Sequence, residues 1–368
     1  MMIFLGLILF VLIIVVHEYG HFLAAKRNGV EAEEFGIGFP PKIAGKTMGK
    51  GIFRGYYTLN WLPFGGFVKL KGENSEDKRK GSFGAASFWV KTKIILAGVF
   101  MNVVFAVMAF SIVAAIEIPR FLPNQFTVKS EETVIEQHVD IVRVEEGSPA
   151  DQAGLIAGQS IESIAGEDVN TLDDLNRLVE KYAGQTVGIG IVPTEAYQTG
   201  EFSDGVVQAE LRADPEDGES YLGVGLNSID TYRVSPWAAP IAGAGLTVQI
   251  AGETLHFLGD LVTSPFRGDF QEQSQGIAGP VGLVFGIFPA VDSLLNLLFL
   301  GGVISVSLAI MNALPIPALD GGRLAVTGLF LLLKKPLTAE VENRIHGSGM
   351  VFFLFLAVLI TYSDILKL

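Results

Sequence analysis

The chain has 368 residues, of which 49% are hydrophobic, and a mean hydropathy of +0.44. That excludes an ordinary soluble domain and directs attention to apolar runs of membrane-spanning length. Its net charge is −13, concentrated in residues 117–233, and so acidic a region excludes nucleic-acid binding there, which needs a basic surface; with no cysteine the chain has no disulfide.

Residues 1–25 form the first apolar run, broken only by His17, Glu18 and His21. The run has no basic n-region and no small-residue cleavage site after it, so it is expected to span rather than to be a signal peptide. Residues 94–116 and 293–314 carry no charge and supply the second and third spans. A shorter stretch at 347–362 makes a fourth with help from its flanks. Segment 235–264 is mildly apolar but holds Glu253, His256 and Asp260, and is expected to lie on the membrane surface.

The charge is unevenly spread. Residues 26–93 carry 13 Lys/Arg against 6 Asp/Glu, whereas residues 117–233 carry 7 against 23. Lys26 and Arg27 close the first span, and Lys91 and Lys93 open the second. The positive-inside rule therefore makes loop 26–93 cytoplasmic, the acidic region extracytoplasmic and both termini external. The expected fold class is a polytopic α-helical membrane protein of about four transmembrane helices.

Within the basic loop, FGIGFPPKI (35–43) and YYTLNWLPFGGFVKLKGE (56–73) are aromatic, β-branched and punctuated by Gly and Pro, which are strand and hairpin signals. Two placements stay open: a membrane-associated β region that dips into the bilayer under cover of other protein, or a small cytoplasmic sheet.

Residues 124–229 are expected to form one α+β domain. A strand at 141–144 leads through Gly147-Ser148-Pro149 to a short helix capped by Ser148. A strand at 161–164 follows, then a helix at 172–182 capped by Thr171 with Leu172, Leu175, Leu178 and Val179 on one face. The SPA, AGL and GQ-x-I-x-x-I-x-G segments resemble a bacterial PDZ domain, present in one copy. Such domains bind a chain end as an added strand. The expected domains are thus 1–123 with the first two spans, 124–229 as the extracytoplasmic PDZ domain, and 230–368 with the surface helix and last two spans.

The chemistry is carried by His17-Glu18-Tyr19-Gly20-His21, an HExxH pattern. On a helix the two histidines share one face and can reach one ion, with Glu18 beside a water on it. Three ionisable residues inside an apolar span are costly enough to imply function. A catalytic zinc takes three protein ligands and an open position. The best third ligand is Asp320 in NALPIPALDGGR (312–323), where Pro315 and Pro317 break the helix and Gly321 and Gly322 allow close backbone approach. His138, His256 and His346 show no ligand spacing.

Taken together, HEYGH, AGVFMN (97–102), LNWLPFGGFVKL (59–70), QGIAGPVGLV (275–284) and NALPIPALDGG resemble the site-2 protease family and its bacterial RseP-like branch over nearly the whole chain. The resemblance implies an intramembrane zinc metalloprotease of the cell (inner) membrane. It implies Zn2+ on His17, His21 and Asp320, Glu18 as the catalytic acid/base, and Asn102 and Asn312 as substrate-binding residues. Implied partners are single-pass transmembrane substrates, an upstream site-1 protease and the lipid bilayer. Val99 departs from the pattern by standing where the family has proline, FGIGFPP replaces a shorter run, and one PDZ domain replaces two. Two rivals are a non-catalytic PDZ-bearing membrane adaptor, disfavoured by the intact HExxH and Asp320, and a membrane-anchored zincin with a soluble site, disfavoured by the position of His17 inside a span.

Overall fold

In the computed structural model, all residues are described except 74–76, 123, 194–204, 216–219, 269–277, 292 and 368. Four helices among them are long and apolar enough to cross a membrane: α1 (Met2–Arg27), α2 (Phe88–Ile116), α6 (Leu294–Ala313) and α8 (Ala339–Lys367). All four lack internal proline, so each satisfies its backbone groups within itself, as hydrocarbon requires. Ser293 caps α6 by accepting the Asn296 N–H at 3.0 Å, and Lys26 and Arg27 complement the dipole at the end of α1. Despite Val99 in place of proline, α2 is continuous.

In the first compact unit, Met1–Ala114 with Pro236–Leu368, the helices pack through small residues. Gly301 lies against Leu9 of α1 and Gly302 against Phe110 of α2. Ser305 Oγ donates to the Asn102 carbonyl at 2.9 Å, tying α6 to α2. The segment expected to lie on the membrane is the long helix α5 (Ala239–Arg267). Its first half packs against α2. Ala239, Ala242, Gly243, Leu246, Thr247 and Ile250 form a buried small-residue face, with Gly243 against Val107 and Ser111 of α2. Average hydropathy conceals such a face, because alanine and glycine score weakly yet let backbones approach closely. Glu253 and His256, farther along, are exposed.

The basic loop forms a sheet of two bent antiparallel strands, β1 (Ala32–Met48) and β2 (Gly55–Leu70). Each folds back, so that Phe35, Gly36 and Ile37 pair with Tyr57, Thr58 and Leu59 on one side and with Val68, Phe67 and Gly66 on the other. The sheet rests on α1 through an aromatic cluster of Tyr19, Phe22, Phe35 and Tyr57, with centroids 5.6–5.8 Å apart. Farther out it exposes Trp61, Leu62 and Phe39.

After α6 the chain turns through 314–319 into the short helix α7 (Asp320–Leu332). In α8, buried Asp364 accepts the Gly279 and Gly282 N–H groups at 3.1 and 2.8 Å and so holds a π-helical turn at Gly282–Ile287. Of the QGIAGPVGLV stretch, 275–277 lie outside the described residues.

The second unit, Ala115–Ser235, contains a sheet ordered β3-β9-β4-β5-β7-β8: β3 (Ile118–Pro119), β9 (Val224–Val234), β4 (Glu132–Val144), β5 (Gln159–Ile164), β7 (Thr186–Pro193) and β8 (Gly205–Glu210). A short β6 (Glu167–Asp168) pairs with β5. Strand β4 is far longer than the four residues expected, because it pairs with β9 along its whole length. The unit extends past 124–229 at both ends, since β3 pairs with Thr231 and Tyr232 of β9. Ser148 caps α3 (Pro149–Gln152) by accepting the Asp151 N–H, and Thr171 caps α4 (Leu172–Lys181) by accepting that of Asp174. The apolar face of α4 closes the core with Ile161, Ile164 and Ile189. Each fully buried aliphatic side chain there contributes about 1.5–3 kcal/mol.

Candidate metal centre

His17 and His21 sit one turn apart on α1, each 7% exposed, with their rings edge to face. Their Nε2 atoms are 3.1 Å apart. The break in the chain after α6 brings Asp320 to them: its Oδ2 lies 3.0 Å from His17 Nε2 and 3.1 Å from His21 Nε2. The three atoms form a nearly equilateral triangle. A tetrahedral ion with bonds of about 2.0 Å separates its ligands by about 3.3 Å, so the triangle matches one face of a zinc site. Glu18 also brings an oxygen within 4.8 Å of the imidazole nitrogens. Asp320 is the nearer carboxylate and completes the triangle.

Two further observations fit a cation at this point. His21 Nδ1 is 2.8 Å from the Ile94 carbonyl of α2. A carbonyl can only accept, so Nδ1 carries the proton and Nε2 keeps its lone pair for a metal. This is the supporting hydrogen bond that metal-bound histidines usually make. Opposite the imidazoles stands Gly98, where a Cβ would lie 2.5 Å from His21 Nε2 and 2.7 Å from His17 Nε2. Any other residue would fill the space in front of both nitrogens.

Glu18 also reaches the sheet, where its Oε2 accepts the Val68 N–H of β2 at 3.1 Å. Its Oε1 has no hydrogen-bond partner among the described residues. A cleft of about 130 Å3 opens here, lined by Glu18, His21, Val68, Phe83, Asp320 and Arg323.

Asp320 is held by more than its own loop. Ala318, at φ +78°, donates its N–H to His346 Nδ1 of α8 at 3.2 Å, so His346 supports the approach to Asp320 although it had no ligand spacing in the sequence. Arg323, one turn beyond Asp320, donates to the Glu73 carbonyl, pairs with Glu342 at 3.6 Å and stacks on Phe83 at 4.7 Å. Gly321 and Gly322 pack against the carbonyls of Ala313, Leu314 and Ile316 in the preceding turn.

The two asparagines are not hydrogen-bonded to this cluster. Asn102, one turn beyond Gly98, is fully buried, and neither atom of its amide has a partner among the described residues. Asn312 donates from Nδ2 to Leu308 of its own helix at 3.1 Å. Val68, Ile94, Gly98 and His346 gave no signal as single positions. Three of these four act through backbone or through the absence of a side chain.

The profile of peptidase family M50, the site-2 protease family, matches residues 5–356. The chain belongs to that family. A Clostridium perfringens protein provisionally named a zinc metalloprotease is 29% identical over 367 residues, covering 100% of this chain and 99% of its own. The zinc metalloprotease RasP of Bacillus licheniformis is 25% identical over 448 residues, covering 98% of each. This M50 peptidase is a zinc metalloendopeptidase and a multi-pass membrane protein.

If the triangle holds the zinc, Asp320→Asn weakens zinc binding by more than the roughly 10–100-fold that loss of a mere supporting partner costs. Gly98→Ala, which adds no charge, also weakens it, because the new Cβ would stand 2.5 and 2.7 Å from the His21 and His17 Nε2 atoms. Metal analysis of detergent-purified protein checks both, with circular dichroism to establish that the helices are intact. Stoichiometric zinc in Asp320→Asn would place the third ligand elsewhere.

Proposed function

We propose that His17, His21 and Asp320 hold the catalytic zinc, that Glu18 is the acid/base, and that the enzyme cleaves peptide bonds within or near the transmembrane segments of single-pass membrane proteins. The observation that carries this reading is the position of the triangle: both histidines are buried within a helix of spanning length, next to two other such helices. Zinc supplies Lewis acidity, which polarises a carbonyl and acidifies water. Glu18 Oε1 is the atom placed to take the water proton and return it to the departing amide nitrogen. The Val68 N–H fixes the other oxygen and so orients the carboxylate.

A helical substrate has its carbonyls committed to its own hydrogen bonds and must be extended before attack. The sheet favours a particular edge for this. Residues 57–59 are enclosed by β1 on both sides, whereas 66–70 pair on one side only among the described residues. A substrate strand added there would lie beside Glu18, narrowing the 57–70 segment that the sequence offers. The exposed Trp61, Leu62 and Phe39 suit insertion of the sheet tip into the bilayer. The unpaired amide of buried Asn102 suits a role in receiving the backbone groups of an extended substrate, and Asn312 would assist.

The same reading places loop 26–93 in the cytoplasm and the Ala115–Ser235 unit outside the cell membrane, as a PDZ domain. Substrates would arrive already shortened by an upstream site-1 protease, or as signal-peptide remnants, and the PDZ domain would admit them by size. A substrate confined to the bilayer needs little recruitment, which favours a gate over a recruiter.

The decisive test of the chemistry is Glu18→Gln, which retains stoichiometric zinc and loses about 10²–10⁴-fold in cleavage rate on a membrane substrate in liposomes. Retained proteolysis would remove Glu18 from its role. For topology, single cysteines at 80 and 173 should react with impermeant maleimide from opposite faces of sealed vesicles; labelling of both from one face overturns the assignment. Replacing 126–228 by a flexible bridge should accelerate cleavage of a substrate with a long external domain and leave a short one unchanged. Equal slowing of both substrates would make the domain a recruiter.

A further inference from the structure

A second cavity, of about 470 Å3, lies at the helix ends that carry the basic residues. It is bounded by the first turn of α2, the last turns of α7, the connector 335–338 and the loop residues before α2. Three lysines line it, Lys78, Lys91 and Lys335, and no Asp or Glu does. Lys91 is only 6% exposed. Its ammonium lies 5.4 Å from the Phe83 ring centre, and no carboxylate among the described residues comes within ion-pair distance of it. The acidic group that faces it, Glu342, is paired with Arg323 at 3.6 Å, and the other charges acting on it are Lys78 and Arg323, both positive. Lys78 donates to the Gly84 carbonyl at 3.2 Å, and Lys335 is exposed. A buried ammonium with no carboxylate at ion-pair distance is costly, and three lysines lining a cavity whose walls hold no acidic residue form an anion-seeking site.

The remaining walls distinguish which anion. Phe330, Leu331 and Pro336 line the same cavity, and next to it Leu331, Leu332 and Leu333 are all exposed at the end of α7. A soluble anion gains nothing from such walls. An amphiphile with a negative head and apolar chains matches both halves, and basic pockets between helices at a membrane face are suited to phosphate head groups. We infer that this cavity binds an anionic phospholipid, with its phosphodiester against Lys91, Lys78 and Lys335 and its acyl chains along Leu331, Leu332 and Leu333. The assignment is independent of the catalytic roles above and is tested without an activity assay.

The test is native mass spectrometry of the full-length protein titrated with dioleoyl-phosphatidylglycerol, with dioleoyl-phosphatidylcholine, or with inorganic phosphate as competitor. The wild type should bind one phosphatidylglycerol saturably and at least about tenfold more tightly than phosphatidylcholine. Each of Lys78→Gln and Lys335→Gln should lower that affinity about fivefold, and Lys335→Arg should restore it. Millimolar inorganic phosphate should not displace the lipid. Equal binding of the two lipids, or unchanged affinity in the double Lys78→Gln, Lys335→Gln variant, would overturn the site. Displacement by inorganic phosphate would reassign it to a free anion and overturn the lipid inference. Zinc content and the thermal midpoint should match wild type in both variants, which separates a lost ligand from a lost fold.

Discussion

Charged and polar donors at membrane depth must find partners inside the protein, and the structure is organised around that requirement. His17, Glu18 and His21 interrupt an otherwise apolar helix, where no water is at hand to satisfy them. Two imidazole nitrogens and one carboxylate oxygen converge within 3.1 Å. A divalent cation held there, as proposed above, would supply the charge that offsets the costly burial. The same requirement explains the surroundings. Ile94 fixes the His21 tautomer, Val68 orients Glu18, and Gly98 leaves room in front of both histidines.

The price of bringing Asp320 into this cluster is an interrupted helix. The chain leaves α6, passes Pro315 and Pro317, and places Ala318 in a left-handed conformation before α7 begins at Asp320. Such a turn persists only when its surroundings determine it. Here His346 of α8 binds the Ala318 N–H, and Arg323 ties the first turn of α7 to Glu73, Phe83 and Glu342. Phe83 lines the cleft beside Glu18 and His21, and both the Arg323 guanidinium and the Lys91 ammonium lie over its ring.

The β sheet has a different task. Its aromatic cluster on α1 anchors β2 beside the HExxH turn, so that the Val68 N–H reaches the Glu18 carboxylate. The sharp fold-back of both strands leaves residues 66–70 as the edge next to Glu18. The second unit stands on its own packing, with α4 closing a core of β-branched residues over a long sheet.

Much of this was legible in the sequence because it depends on local periodicity. The uncharged run at 293–314 became α6 nearly residue for residue, and that at 94–116 became α2 with six further residues, Lys91 and Lys93 among them, at its start, since a spanning helix is determined by its own side chains and the solvent it must face. The spacing of His17 and His21 likewise dictates that both imidazoles share a face, and Ser148 and Thr171 announce their helices by local capping chemistry. Other features depend on what comes close from far along the chain. The small-residue face of α5, the pairing of β4 with β9, and the supports from Val68, Ile94, Gly98 and His346 all involve partners separated by many residues. Backbone groups and a missing Cβ leave no trace in side-chain identity, so only the packing of α1 against α2, the sheet and the 314–319 turn decided what surrounds the metal site.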